Sequence, residues 1–157
     1  MKNLVKKLKK DYPDIKFEGG DRFTWSPERQ IVVFKTTSVG DKVAVWSLLH
    51  EVGHALLGHS TYKSDFNLVQ LESEAWQKAK ELGTLYGYEI DPEHIEDCLD
   101  TYRDWLYKRS LCPACSTSSL QSDERTYKCF NCGAEWHVSK SKLCRPYRLR
   151  KQKETLV

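Results

Sequence analysis

The chain has 157 residues, of which 39% are hydrophobic and 11% aromatic. This is enough apolar side chain for a core and argues against a disordered chain. No apolar run approaches the roughly 18 residues that a membrane helix needs, and the basic N-terminus lacks the apolar stretch and cleavage site of a secretory signal. We therefore expect a cytoplasmic protein with no membrane partner. The net charge of +3 is uneven, because the basic excess lies after residue 110.

Apolar residues that recur at helical spacing predict four helices. They cover residues 2–11, about 42–57, about 68–82, and a fourth stretch that begins at the Asp91-Pro92 pair. Local signals mark their boundaries, since Asp41 is a suitable N-cap for the second helix, Gly58 ends it, and Gly83 ends the third.

Residues 16–35, between the first two helices, predict two or three short strands. Phe23 and Trp25 alternate with polar residues, a turn sequence follows, and Ile31 to Phe34 is a β-branched and aromatic run. These short strands and helices predict an α+β fold. The Ile31–Phe34 strand would then offer an edge on which an extended peptide can pair.

The second predicted helix carries the sequence His50-Glu51-Val52-Gly53-His54, which fits H-E-x-x-H. Residues four apart lie on one helix face, so His50 and His54 can point at the same ion, and neutral imidazole is a good zinc ligand. Glu51 is rotated away from this pair and can act as a general base toward a water on the metal. The alternative is a core helix with two hydrogen-bonded histidines, but burying these groups without a metal is costly.

A catalytic zinc also needs a third protein ligand and an open position. His59 follows His54 by five residues, which fits one helix face poorly, so we expect it to cap the helix or line the site. Glu72 shares a face of the next helix with two alanines, whose small side chains permit a close approach to the first helix. Glu74 points roughly 160° away from Glu72 and is the weaker candidate. A solvated helix charge is the alternative interpretation of Glu72.

The combination of HEVGHALLGH with a following ESEA helix resembles the small gluzincin-type metallopeptidases, especially the ImmA/IrrE-like group and the minigluzincins. The resemblance covers about residues 1–108 and implies a minimal zincin-like fold, in which a small antiparallel sheet packs with the H-E-x-x-H helix and the glutamate helix. It also implies that Glu51 is the catalytic base and that the zinc ligands are His50, His54 and Glu72. Trp76 is a departure, because the family has a small polar residue there that supports a ligand histidine. Tryptophan cannot accept a hydrogen bond, so another group must orient that histidine.

Four of the six cysteines form two Cys-x-x-Cys pairs. They are Cys112, Cys115, Cys129 and Cys132. Two such pairs make a closed tetrahedral zinc site, and they predict a zinc-ribbon domain over residues 111–157 after a first domain over residues 1–110. Four thiolates leave no open position, so this zinc is predicted to be structural, and a domain so small needs it to fold. A redox dithiol is the alternative for a single pair.

The predicted ribbon and its tail place basic residues beside aromatic ones, a combination that suits single-stranded nucleic acid. The candidate surface for nucleic acid or a regulatory protein comprises Lys128, Trp136, Lys140, Lys142, Arg145 and Arg148. A solvated tail with the aromatic residues in a core is an equal alternative.

Two functions are compatible with these motifs. The first is a zinc-dependent endopeptidase with one catalytic and one structural zinc, whose ribbon recruits a protein substrate or partner. The second is a nucleic-acid- or protein-binding module in which the first zinc is not catalytic. We favour the peptidase, which also requires a group that stabilises the oxyanion. The candidates for that role are Tyr86, Tyr88, His94 and Tyr102.

Overall fold

The computed structural model describes residues 1–37, 41–139 and 148–150. Within these ranges the protein is a mixed α+β structure with four helices and two small sheets. The helices are α1 (Lys2–Asp11), α2 (Lys42–Leu56), α3 (Asp65–Tyr86) and α4 (Pro92–Ser110). The strands are β1 (Lys16–Gly20), β2 (Thr24–Ser26), β3 (Ile31–Lys35), β4 (Leu120–Gln121), β5 (Thr126–Lys128), β6 (Glu135–Val138) and β7 (Arg148–Arg150). In the part of the chain described here, no helix combines the length and apolarity that crossing a membrane requires.

The chain groups into two compact units. The first unit comprises Met1–Thr61 and Gln70–Glu96, and the second comprises Tyr62–Val69 and Asp97–Val157. Both α3 and α4 contribute residues to each unit, so this grouping differs from a single division at residue 110. The predicted domain boundary at that residue stays a prediction.

The sheet of the first unit has the strand order β1-β3-β2. β3 pairs with β2 in the antiparallel sense and with β1 in the parallel sense. The prediction of an antiparallel sheet is therefore wrong for one of the two pairings. Parallel neighbours need a crossover rather than a tight turn, and residues 21–30, which include β2, provide it. β3 takes the central place because it begins with the buried residues Ile31 and Val32.

Because β3 is paired on both sides, it has no free edge for a peptide. The expectation that the Ile31–Phe34 strand binds an extended substrate is therefore wrong. The physical reason is that the most apolar strand of a small sheet gains most from burial, and burial is greatest at the centre. β1 and β2 are the edge strands of this sheet.

Glycine and capping residues set the helix ends as predicted for α2, but Gly83 does not end α3. The Asp41 side chain accepts a backbone hydrogen bond at the start of α2, and Gly58 follows α2 with a φ of 65°. α3 continues past Gly83, where we expected it to end, to Tyr86, and Gly87 follows it with a φ of 79°. Gly83 is required for a close contact instead, since a Cβ there would lie 2.5 Å from the carbonyl oxygen of Tyr88.

The core of the first unit combines one apolar face of each helix with the inner side of the sheet. Its most buried members are Leu4, Leu8, Val32, Leu48, Leu49, Val52, Ala75 and Ala79. Each larger side chain stabilises the fold by about 1.5–3 kcal/mol through burial. Residues of α2 and α3 account for most of this core, so the two helices that carry the H-E-x-x-H motif and Glu72 are fixed by packing.

The second unit contains the antiparallel sheet β4-β5-β6-β7 and a small core. That core consists of Cys112, Tyr127, Cys129, Trp136 and Val138. The Tyr127 and Trp136 rings stack with centroids 5.5 Å apart. Two cysteines of the Cys-x-x-Cys pairs therefore belong to the core itself.

A buried polar network stabilises the same unit. Arg109 donates to Asp65 across a 2.7 Å ion pair, and the Tyr127 hydroxyl donates to the same carboxylate at 2.6 Å. The Trp136 indole donates to the Arg109 carbonyl at 3.0 Å. Because buried charges are costly without partners, these bonds fix the start of α3 and the end of α4 within this unit.

Candidate metal centres

The structure brings together the three predicted ligands of the first site. The Nε2 atoms of His50 and His54 are 3.1 Å apart. Glu72 Oε2 lies 3.2 Å from His50 Nε2 and 3.5 Å from His54 Nε2. Ligand atoms at about 2.0–2.1 Å from a tetrahedral zinc are roughly 3.3–3.4 Å from one another. The three separations bracket that value, so the donor set fits zinc.

The charge of the site also fits a cation. Burial raises the pKa of Glu72, but the hydrogen bonds with His50 and His54 outweigh burial and hold the pKa well below its usual range. The carboxylate is therefore ionised. Two imidazole nitrogens and a carboxylate oxygen at these separations are all acceptors unless a proton or a cation lies among them. A metal ion would satisfy all three lone pairs at once.

Glu72 reaches the histidines because α2 and α3 approach closely at Gly53. A Cβ on Gly53 would lie 2.6 Å from the carbonyl oxygen of Ala75, and Ala75 and Ala79 are fully buried. The predicted close approach at the two alanines is thus matched by a glycine on the opposite helix. Sequence reasoning overlooked Gly53, although a glycine inside an otherwise good helix is a signal of such a contact.

Glu51 does not belong to the group of ligands. Its Oε2 accepts a hydrogen bond from the backbone N–H of Trp25 at 2.7 Å. Trp25 lies on β2, an edge strand of the sheet, so Glu51 links α2 to this strand. The Trp25 indole donates to the carbonyl oxygen of His59 at 2.8 Å. Trp25 therefore holds both the predicted base and the segment that follows α2.

His50 is oriented by an aromatic ring. The rings of His50 and Trp76 stack with centroids 4.2 Å apart and an interplanar angle of 29°, and Trp76 is only 4% exposed. Within the described ranges, the buried Nδ1 of His50 has no hydrogen-bond partner. We expected a group other than Trp76 to orient this histidine by a hydrogen bond. The described residues provide no such bond at His50 Nδ1, and the face of Trp76 packs against the imidazole instead.

His59 lines the site without joining the ligands. Its Nδ1 lies 2.9 Å from Nδ1 of His54, and its Nε2 lies 3.3 Å from Glu74 Oε2. Burial lowers the pKa of His59 and the neighbouring His54 acts in the same direction, whereas Glu74 opposes them. The net shift favours neutral His59. Glu74, the weaker ligand candidate, is a partner of His59.

Two of the candidates for oxyanion stabilisation have other contacts. The Tyr86 hydroxyl donates to Asp11 at 2.7 Å, so its proton is not available to a substrate. The His94 ring lies 5.0 Å from the Trp46 ring and 5.6 Å from the Trp76 ring. These contacts disfavour Tyr86 and place His94 beside the ring that stacks on His50.

The four cysteines of the second site also converge. The Sγ atoms of Cys112 and Cys132 are 3.6 Å apart, as are those of Cys115 and Cys129, and all four lie within 4.8 Å of one another. Sulfur atoms at about 2.3 Å from a tetrahedral zinc are roughly 3.8 Å apart. Each close pair joins one cysteine from each Cys-x-x-Cys motif, so the geometry is compatible with a zinc ribbon.

Both cysteine turns use the same backbone conformation. Ser116 has a φ of 57° and Gly133 a φ of 71°, each immediately after the second cysteine of its motif. Glycine adopts this region freely, but serine does so at a cost of about 1–2 kcal/mol. Ser116 therefore adopts the same turn as Gly133, with some backbone strain.

The pKa values of two neighbouring thiols, Cys115 and Cys132, are shifted in opposite directions. Hydrogen bonds with Thr117 lower the pKa of Cys115 to about 5. A backbone hydrogen bond with Ala134 lowers the pKa of Cys132, but the neighbouring thiols and burial raise it to about 12. One thiolate therefore forms readily at the expense of another. A cation would hold all four as thiolates.

The predicted surface for nucleic acid or a partner is only partly within the described residues. Trp136 is 0% exposed, so its assignment to this surface is wrong, because its ring is needed to fill the core of the second unit. Lys128 is exposed, 3.8 Å from Glu135, and Arg148 begins β7. The remaining three residues, Lys140, Lys142 and Arg145, lie outside the described residues.

The described structure thus defines a mixed α+β protein with two potential metal-binding groups that are compatible with zinc. Comparisons with protein-family models, curated proteins and solved structures find no match for this chain. The gluzincin and zinc-ribbon assignments therefore stay predictions that rest on the motifs and their geometry.

Proposed function

We propose that the protein is a zinc-dependent endopeptidase with a minimal zincin-like fold in its first unit. The observation that carries the proposal is the triangle of His50, His54 and Glu72 atoms at separations of 3.1–3.5 Å, with Glu51 beside it on α2. Three protein ligands leave a fourth position open, which is the arrangement of catalytic and not of structural zinc.

A zinc ion in this site would lower the pKa of water and polarise a carbonyl group. Glu51 is the general base that takes a proton from the attacking water and delivers it to the leaving amine. The Trp25 N–H orients the Glu51 carboxylate through its 2.7 Å hydrogen bond.

The four-cysteine group holds a structural zinc in this proposal. Two of its ligands, Cys112 and Cys129, are buried in the core of the second unit, and four thiolates close the coordination sphere. Phe130, between the cysteines of the second motif, is 76% exposed, and Lys128, two residues before it, is also exposed. We propose that this part of the ribbon recruits a protein substrate or partner.

The decisive experiment compares a cytoplasmic proteome incubated with the wild-type protein and with Glu51→Gln, followed by mass spectrometry of new peptide termini. Wild type should generate new termini, and E51Q should reduce them by about 10²–10⁴-fold while it retains both zinc ions. Glu81→Gln is the matched control, because Glu81 is an α3 surface residue paired with Lys78. Undiminished cleavage by E51Q would overturn the assigned mechanism.

The alternative is a binding module with a non-catalytic first metal. The observation that favours it is His50 Nδ1, which lacks a hydrogen-bond partner among the described residues, since ligand histidines in active sites normally donate through that nitrogen. In this case neither wild type nor E51Q generates new termini, and the protein binds nucleic acid with an affinity that falls as salt rises.

A further inference from the structure

We propose that His59 is a positioning residue that fixes the orientation of the ligand His54. His59 contacts His54 through one ring nitrogen and Glu74 through the other, so the three side chains form a hydrogen-bond relay. The inference rests on the metal-binding part of the proposed function and not on cleavage. His59 is 8% exposed, so its imidazole is held within the unit rather than free in solvent.

The backbone after α2 places His59 beside His54. The Gly58 N–H donates to the Ala55 carbonyl at 3.2 Å, and the His59 N–H donates to the His54 carbonyl at 3.0 Å. With Gly58 at a φ of 65°, this is a Schellman ending, which turns the chain back over the last helical turn. A spacing of five residues, poor for a helix face, thus brings the two imidazoles together.

The contacts of His59 fix its position from two further sides. Its carbonyl oxygen accepts a hydrogen bond from the Trp25 indole at 2.8 Å. Its side chain lies between Nδ1 of His54 at 2.9 Å and Oε2 of Glu74 at 3.3 Å. Backbone and imidazole are therefore both held, as a residue that orients a ligand requires.

The hydrogen-bond directions have one consistent assignment when a metal is bound. His54 presents its Nε2 lone pair to the ligand triangle, so its proton is on Nδ1 and donates to Nδ1 of His59. The proton of His59 is then on Nε2 and donates to the Glu74 carboxylate. This chain fixes the tautomer and the ring plane of His54 and increases its basicity as a ligand.

The two histidine ligands are consequently oriented by different means. His50 has the face of Trp76 and no hydrogen bond at Nδ1 among the described residues. His54 has the chain through His59 to Glu74. The hydrogen bonds from His54 through His59 to Glu74 should therefore raise metal affinity through His54 alone. The expected gain is about 10–100-fold, the usual effect of a residue that hydrogen-bonds a ligand histidine.

The test measures zinc affinity of the first site by competition with a chelator, and the visible spectrum of Co²⁺ bound there, with zinc in the four-cysteine site. His59→Phe should lower zinc affinity 10–100-fold and alter the Co²⁺ spectrum, and His59→Asn, which can still accept from His54, should recover most of both. Glu74→Leu should lower affinity several-fold, and Glu74→Gln, whose amide oxygen still accepts, should not. Glu74 is about half exposed, so its variants test the proposal even if H59F does not fold.

Glu72→Gln and His50→Ala separate failure of this inference from failure of the proposed function. If these two lose the metal while H59F and E74L retain wild-type affinity and spectrum, His59 is not a positioning residue and the metal site stands. If E72Q and H50A also retain full affinity, the first site does not bind zinc through these ligands, and both proposals are overturned.

Discussion

The two candidate metal centres are assembled from the chain in different ways. In the four-cysteine group, each Cys-x-x-Cys turn supplies two ligands from its own short segment. In the His-His-Glu group, α2 supplies two ligands and α3 supplies Glu72, which reaches them only because Gly53 allows a close approach. The first arrangement depends on local turns, and the second depends on how two helices pack.

The two groups of candidate ligands also differ in the size of the apolar core around them. Two of the four thiols lie in the core of the second unit, where few apolar residues accompany them. The ligands of the first group lie beside an extensive apolar core from α1, the sheet, α2 and α3. We therefore expect metal removal to unfold the second unit and to leave the first unit folded.

The largest effect is expected for Cys129→Ser. Structural zinc contributes roughly 10–16 kcal/mol in zinc-finger peptides, so this variant should lose the second zinc and the order of β4–β7. Zinc content per chain and limited proteolysis measure the result. His50→Ala is the matched comparison, since it should lose the other zinc and keep the C-terminal region resistant to protease. If C129S retains its second zinc and its resistance to protease, the second unit does not depend on this metal more than the first unit does.

The next effect concerns the ring that orients His50. Trp76→Ala should destabilise the first unit by about 3–5 kcal/mol, the usual cost of removing a buried tryptophan, and should weaken zinc binding there. Trp76→Phe keeps a ring against His50 and should cost less than Trp76→Ala, because fewer buried apolar atoms are removed. Thermal unfolding and chelator competition give the two quantities. Equal zinc affinity in W76A and wild type would show that stacking does not orient His50.

Gly53→Ala tests whether the first site depends on the approach of α2 to α3. Alanine favours a helix over glycine by about 1 kcal/mol, but its Cβ would lie 2.6 Å from a backbone oxygen. The overpacking should win, with a net loss of about 1–3 kcal/mol and weaker zinc binding at the first site. Ser47→Ala on the same helix should be nearly neutral, and the four-cysteine zinc is an internal reference. Stabilisation by G53A would mean that the helices separate without cost.

The smallest effect is expected for Tyr127→Phe in the second unit. Burial and the hydrogen bond to Asp65 raise the pKa of Tyr127 above its ordinary value. The neutral hydroxyl therefore contributes stability that is fully present below about pH 10, the unfolded pKa, and is lost as pH rises through the folded pKa. Y127F should cost about 1–2 kcal/mol at neutral pH, because Arg109 still pairs with Asp65.

Urea unfolding of both proteins between pH 8 and pH 11 measures this effect. The stability difference between wild type and Y127F should shrink as pH rises above about 10. A difference that stays constant over this range would show that the hydroxyl is not bonded to the carboxylate in solution.

The helices and the ligands could be predicted because their signals are local. Asp41 caps α2 through its own side chain, and helical spacing alone aligns His50 with His54. The four cysteines are brought together by two short turns, whose residue types are visible in the sequence. For Glu72, the alanines on its face were enough to favour it over Glu74.

The order of the strands and the roles of individual glycines and aromatics could not be predicted in this way. β3 became the central strand because its apolar side chains gain more from burial than those of β1 and β2, and this depends on all three strands together. Gly83 and Gly87 are the same residue type, but one permits packing and the other ends α3. Trp136 resembled a stacking surface and is a core residue.

The sequence by itself determined which residues can bind metal, because ligand chemistry and spacing along one helix or turn are properties of short segments. Only the tertiary structure decided what surrounds those residues. The stacking of Trp76 on His50, the hydrogen bond from Trp25 to Glu51, and the contact of His59 with His54 join segments that are distant in the chain or turn back on it. Such contacts depend on how apolar faces pack, and packing is a property of the whole unit.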